Sequence, residues 1–133
     1  MKVSEIGEFG LIGLLQGMIS RAEDKASPAR RNLIIGIGDD TAAWHGEPTI
    51  QLATVDAFVQ GVHFLPEVTP WRSVGWKSLA VNLSDIAAMG GHPTYALVSL
   101  TLPASTEVES ITELYRGMLE LAGKSGTTSS AAT

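Results

Sequence analysis

Trp76-Lys77-Ser78-Leu79-Ala80-Val81-Asn82-Leu83-Ser84-Asp85-Ile86-Ala87-Ala88-Met89-Gly90 is the stretch on which the fold turns. Extended back to Pro70, it predicts a long helix over residues 70–89 with Val74, Leu79, Leu83 and Ile86 facing inward. Gly90-Gly91 supplies the stop, because glycine readily takes the left-handed conformation that ends helices. One carboxylate interrupts this apolar run. Asp85 shares a face with Asn82, three residues earlier. It also lies near the helix C-terminus, where the macrodipole disfavours an anion, and burial without a partner would cost far more. A salt bridge to Lys77 or a polar face at a domain edge would account for it. A bound cation is the preferred reading.

On the N-terminal side of that helix, residues 8–20 place Phe9, Ile12, Leu15 and Ile19 at helical spacing. Residues 26–31 read as a polar, proline-containing loop. Residues 32–37 read as a strand ending in Gly36 and Gly38, and residues 49–55 as a second strand after the turn His45-Gly46-Glu47-Pro48. A short additional strand fits around residues 41–44. On the C-terminal side, residues 95–102 are apolar on both faces, as in a buried strand, and Pro103 ends them. Thr106 with Glu109 has the form of a capping box, and the following helix aligns Ile111, Leu114, Tyr115, Met118 and Leu121. The order is α, two or three strands, α, β, α. It predicts an α/β (α+β) fold, a mixed sheet covered by helices on one face. Residues 125–133 show no apolar periodicity and are expected to be a disordered tail, leaving one domain over residues 1–124.

Two further acidic positions sit at predicted strand ends. Asp39-Asp40 follows Gly36-Ile37-Gly38. Glycine and aspartate favour turns, so a solvated turn is the plain reading. Adjacent carboxylates also repel, and a hard cation with oxygen ligands relieves that repulsion. Asp56 follows Leu52-Ala53-Thr54-Val55, at the kind of strand end where α/β proteins collect ligands. His63, in Gln60-Gly61-Val62-His63-Phe64, reads on its own as a loop histidine without a role. Trp44, Trp71 and Trp76 read as packing residues, since no basic residues interleave with them.

Composition excludes several classes. There are no cysteines, hence no disulfides, thiolate nucleophiles or cysteine zinc sites. Net charge is −5. From Asp39 to Asp85 six acids (Asp39, Asp40, Glu47, Asp56, Glu67, Asp85) face only Arg72 and Lys77, which argues against nucleic-acid binding. Four basic residues, Arg21, Lys25, Arg30 and Arg31, crowd one short stretch that reads as solvated surface. Apolar runs fall well short of the roughly 20 residues that span a bilayer. No charged-then-apolar segment opens the chain, so no membrane partner and a cytoplasmic location are expected. Gly36-Ile37-Gly38 lacks the third glycine of a dinucleotide fingerprint, and no Gly-Lys-Ser/Thr follows a glycine loop. The protein-kinase His-Arg-Asp and Asp-Phe-Gly motifs and a serine nucleophile elbow are also missing. Any nucleotide handled here must have its phosphates held mainly through carboxylate-bound magnesium.

Together these motifs resemble thiamine-monophosphate kinase, in the superfamily that includes aminoimidazole ribonucleotide synthetase and selenophosphate synthetase. The resemblance runs from Gly7-Glu8-Phe9-Gly10-Leu11-Ile12 to about Gly123. It rests on Gly36-Ile37-Gly38-Asp39-Asp40, on Thr54-Val55-Asp56 with Gly61-Val62-His63-Phe64, and on the long helix motif. The Gly-Val-His-Phe piece separates the thiamine kinase from its superfamily relatives.

The resemblance implies ATP-dependent phosphorylation of thiamine monophosphate to thiamine diphosphate, by in-line attack without a covalent enzyme intermediate. It implies Mg2+ held by Asp40, Asp56 and Asp85, with Thr54 and the Val55 backbone beside them, and substrate contact at His63. It also implies a homodimer, its two N-terminal domains sharing a β-barrel. Val55 stands where the family commonly has threonine. The family continues into a Gly-Gly-Asp-Thr motif that binds nucleotide and metal, and then a C-terminal domain. Here Gly126-Thr127-Thr128-Ser129-Ser130 stands at the motif, so the expectation is an N-terminal half that is inactive by itself. A related ATP-using synthetase, or a non-catalytic dimerisation or ligand-binding module of the same fold, is the competing reading.

Overall fold

The computed structural model describes residues 1–23 and 25–129. Its centre is the contact of three helices, α1 (Val3–Ala22), α3 (Trp71–Ala88) and α4 (Val108–Ser125). Leu11, Leu15 and Ile19 from α1 meet Val74 and Leu79 from α3. Ile111, Leu114, Tyr115, Met118 and Ala122 from α4 complete the cluster, which Ile37 joins from a neighbouring turn. Helices α3 and α4 cross almost backbone to backbone. A Cβ at Gly75 would stand 1.8 Å from the Leu114 carbonyl oxygen, and one at Gly117 would stand 1.9 Å from that of Arg72. Only glycine fits at either position.

The predicted helices form with altered faces and ends. Phe9 is 87% exposed, and Leu11 takes the inward place beside Leu15 and Ile19. Both sets satisfy helical spacing, and the position of α4 decides between them. Of the inward set expected on α3, Val74 and Leu79 are buried, while Leu83 and Ile86 are half-buried. Helix α4 begins at Val108 with Glu107 as its N-cap and no side-chain cap bond, so the box of Thr106 and Glu109 does not form. The Met1 ammonium draws those acids instead, at 3.2 Å from Glu107 and 3.7 Å from Glu109.

The expected loop over residues 26–31 contains a one-turn helix, α2 (Pro28–Asn32). Ser27 caps it by accepting the Arg30 N–H at 3.1 Å, and Pro28 occupies its first position. Serine followed by proline is a helix-start signature.

Strand content is small and divided. The predicted first strand survives as β1 (Leu33–Ile35), antiparallel to β2 (Ala43–Trp44), the short strand expected around residues 41–44. The pairing is irregular, with Leu33 opposite Trp44 and Ile35 opposite Ala43. β3 (Tyr95–Ala96) pairs in parallel with β4 (Thr128–Ser129). Antiparallel and parallel pairings thus coexist beside the helices, and the α/β class stands.

Two expected strands are not formed at their predicted length. Residues 51–59 run without regular structure, because no described neighbour supplies a ladder for their backbone. Residues 97–102 continue past β3 with exposed and half-buried positions alternating, so one face stays open rather than both being covered. Residues 125–129, expected in an aperiodic tail, carry the end of α4, its left-handed cap at Gly126 and β4. Residues 130–133 lie outside the described residues.

Candidate functional site

Asp39 and Asp40 lie in the turn between β1 and β2. Gly38 opens that turn at φ 110°, a left-handed value that a side chain would strain. The Gln16 side-chain amide braces it from α1 by donating to the Ile37 carbonyl at 3.1 Å. Asp39 accepts the N–H of the next residue, Asp40, through Oδ1 at 2.8 Å. Asp40 is exposed.

Asp85 is exposed rather than buried in the last turn of α3. The helix presents an uncovered face there, so the argument from burying an anion does not apply. No salt bridge among the described residues involves Lys77 or any of Asp39, Asp40, Asp56 and Asp85. What does reach Asp85 is Thr54, whose hydroxyl donates to Oδ2 at 3.3 Å across 31 residues. This contact joins the Thr-Val-Asp motif to the helix motif. Asn82 shares the face as expected, but its amide turns back to the Ser78 carbonyl at 2.9 Å. Val55 is 91% exposed, and Asp56 beside it is also exposed.

Among the described residues no three of His, Asp or Glu stand close enough to hold a metal ion together. Asp40, Asp56 and Asp85 are thus not such a group by themselves. Their donor chemistry nonetheless suits magnesium. They offer oxygen only and form no salt bridge among the described residues, and magnesium commonly takes one or two protein carboxylates with the rest of its shell from water and phosphate.

His63 sits in a turn closed by the Gly61 N–H donating to the Phe64 carbonyl at 2.8 Å. Its Nδ1 accepts the Val59 N–H at 3.0 Å, which assigns the proton of a neutral ring to Nε2. The ring stacks on Phe58 with centroids 5.5 Å apart. Phe58 in turn stacks on Phe64, and Phe64 meets the edge of Trp71 at the start of α3. Sequence reading missed this aromatic run, although Phe58 and Phe64 flank the histidine closely. Trp44 stacks on Tyr95 at 4.8 Å, and the Tyr95 hydroxyl donates to the Ala29 carbonyl at 2.7 Å, tying β2, β3 and α2 together.

The family described as AIR synthase related protein, N-terminal domain, matches residues 38–130. The chain belongs to that family. It is 41% identical over 118 residues to the thiamine-monophosphate kinase of Aquifex aeolicus (strain VF5), covering 89% of this chain and 34% of the relative. It is 45% identical over 89 residues to that of Bacillus subtilis (strain 168), covering 66% of this chain and 27% of the relative. The chain thus spans about a third of the length of these curated relatives. The crystal structure of thiamine-monophosphate kinase from Stenotrophomonas maltophilia K279a superposes with a TM-score of 0.68 at 32% identity, over 95% of this chain and 38% of that one. The Aquifex aeolicus crystal structure gives 0.59 at 32% identity, over 100% of this chain and 39% of that one. Among the described residues no helix is long and apolar enough to cross a membrane.

Proposed function

We propose that this chain provides the magnesium and substrate side of a cytoplasmic, ATP-dependent kinase that converts thiamine monophosphate to thiamine diphosphate. The observation that carries the reading is the contact of Thr54 with Asp85. It brings the Thr-Val-Asp motif to the helix motif in a chain whose relatives are thiamine-monophosphate kinases. Asp85 with Thr54 would hold Mg2+, and Asp40, Asp56 and the Val55 backbone would add ligands as nucleotide phosphates complete the shell. The ion, when bound, would neutralise the crowded phosphates. His63, steadied by Val59 and Phe58, would offer Nε2 to the substrate. The exposed apolar side chains of Ile50, Leu52, Val55, Val62 and Val68 support a second reading that is compatible with the first. They would be covered by a second copy of the chain in a homodimer, where unpaired backbone could find ladder partners.

The decisive measurement is ATP-dependent phosphorylation of thiamine monophosphate by a chimera. Residues 1–125 of this chain would replace the matching segment of the Aquifex aeolicus kinase. Asp85→Asn in that chimera should lower turnover about 100-fold or more, the usual loss when one electrostatic contact to the reacting groups is removed. Turnover equal to the unsubstituted chimera would sink the assignment of Asp85. A chimera that folds and binds ATP yet never uses thiamine monophosphate would sink the substrate.

A further inference from the structure

The C-terminal end of α1, the first turn of α3 and the second half of α4 border an open groove of about 470 Å3. That volume falls in the range of about 300–1,000 Å3 usual for small-ligand sites. Arg21, Arg72 and Arg116 line it, one from each helix, with Glu120 as the one acid among the described lining residues. Met18 and Leu119 belong to its apolar lining. Three of the nine lysines and arginines thus gather at one place in a protein of net charge −5. The acidic motifs lie elsewhere. Asp85 stands in the last turn of α3, about 20 Å along the axis from Arg72 at about 1.5 Å per residue.

Its ion pairs do not neutralise the groove. Glu120 serves two cations, taking Arg72 through Oε2 at 3.0 Å and Lys124 through Oε1 at 3.5 Å. Arg116 pairs with Glu113. Arg21 forms no salt bridge among the described residues. Four described cations therefore face two carboxylates, an excess of two positive charges. Arg72 also stands in the first turn of α3, which holds no acidic residue, and there the macrodipole adds to the positive potential. The side chains of Arg72 and Arg116 are 56% and 58% exposed. Each keeps one terminal nitrogen outside its ion pair, and guanidinium donors match the oxygens of phosphates and carboxylates. A neutral ligand would leave the excess charge unanswered, and a singly charged one would answer half of it. We propose that this groove binds a small multivalent oxyanion, held by Arg21, Arg72 and Arg116 without a metal ion.

The test is an amide-resolved NMR titration of the 133-residue chain at low ionic strength, in buffer freed of divalent metal by a chelating resin. The probes are tripolyphosphate and citrate, with acetate as a single charge. Without metal the acidic motifs repel these anions, so saturable shifts belong at Arg21, Ala22, Arg72, Leu119 and Glu120 and not at Asp40 or Asp85. Saturation by either polyanion supports the site, and the tighter of the two tells phosphate from carboxylate. Arg21→Gln, which breaks no described salt bridge, and Arg116→Gln should each weaken binding about tenfold. Lys77→Gln removes the same charge elsewhere on α3 and should change binding less than about twofold. Arg21→Gln decides the matter if Arg116→Gln does not fold. Linear shifts with both polyanions, saturation by acetate at equal strength, or equal weakening in Lys77→Gln would overturn the proposal.

Discussion

The helical layer and the stretch between residues 45 and 69 have similar apolar sequences and opposite fates. Leu15, Ile111 and Tyr115 are almost wholly enclosed, whereas Ile50 and Val55 are 91% exposed. The difference lies in where each backbone finds its hydrogen bonds. A helix closes them within itself, and its apolar stripe then needs only a neighbouring helix. An extended segment must borrow donors and acceptors from another strand. Where the described residues offer none, the side chains have no sheet to hold them over a core. Among the described residues the helical half of this fold encloses its apolar side chains, and the extended half leaves many of its own in solvent.

The largest expected effect breaks the helical half. Gly117→Ala would drive a Cβ to 1.9 Å from the Arg72 carbonyl oxygen, a backbone atom that cannot swing aside. Overpacking ordinarily costs about 1–3 kcal/mol and more when backbones must separate. Gly117→Ala should therefore lower unfolding free energy by about 3 kcal/mol or more in chemical denaturation. A loss below about 1 kcal/mol would mean that α3 and α4 part easily, and the contrast drawn between the two regions would weaken.

A smaller effect sharpens the other side. Ile50→Ser and Val62→Ser change exposed side chains, so each should move the stability of the isolated chain by no more than about 0.5 kcal/mol. If a second copy covers this surface, the same changes should weaken self-association measured by sedimentation, with little change in denaturation. Serine variants that unfold the chain would show that this stretch already contributes to the core. Variants that leave association untouched would move the dimer contact elsewhere.

This division also explains what could be read from the sequence. Helix positions were legible because period and stop signals are local: Val74, Leu79 and Gly90 mark α3, and Ile111, Leu114 and Met118 mark α4. The one-turn α2 has its start signal in Ser27-Pro28, but five residues are too few to show a period, and residues 26–31 read as a polar loop. Residues 49–55 carry strand composition without strand pairing, because pairing belongs to the partner as much as to the segment. In the candidate site, Asp85 and Thr54 could be found as motifs, while their contact depends on how an irregular segment passes the end of α3. The buried Asp85 inferred from an apolar helix failed for a related reason. Apolar neighbours show that a face wants covering, and the described residues do not cover it. Glu23 left no signal, because a single glutamate at a helix end reads as solvated until α2 folds over it.

The smallest predicted effect compares two glutamates on the helical layer that respond to acid in opposite directions. Burial raises the Glu23 carboxyl above its ordinary value, with Arg30 opposing. The folded state thus holds that proton more firmly than the unfolded state. Its contribution to stability is complete below the unfolded value and fades as pH rises through the folded one. Glu120 is lowered by its hydrogen bond and charge contact with Arg72, helped by Lys124. Its contribution is present above the unfolded value and is lost as pH falls through the folded one. The melting-temperature advantage of the parent over Glu23→Gln should therefore be greater near about pH 4 than near about pH 7. The advantage over Glu120→Gln should run the other way and shrink with added salt, since Glu120 and Arg72 meet in solvent. Each change in melting temperature should stay below about 4 °C. An advantage over Glu23→Gln that grows with pH would mean that pairing with Arg30 outweighs burial.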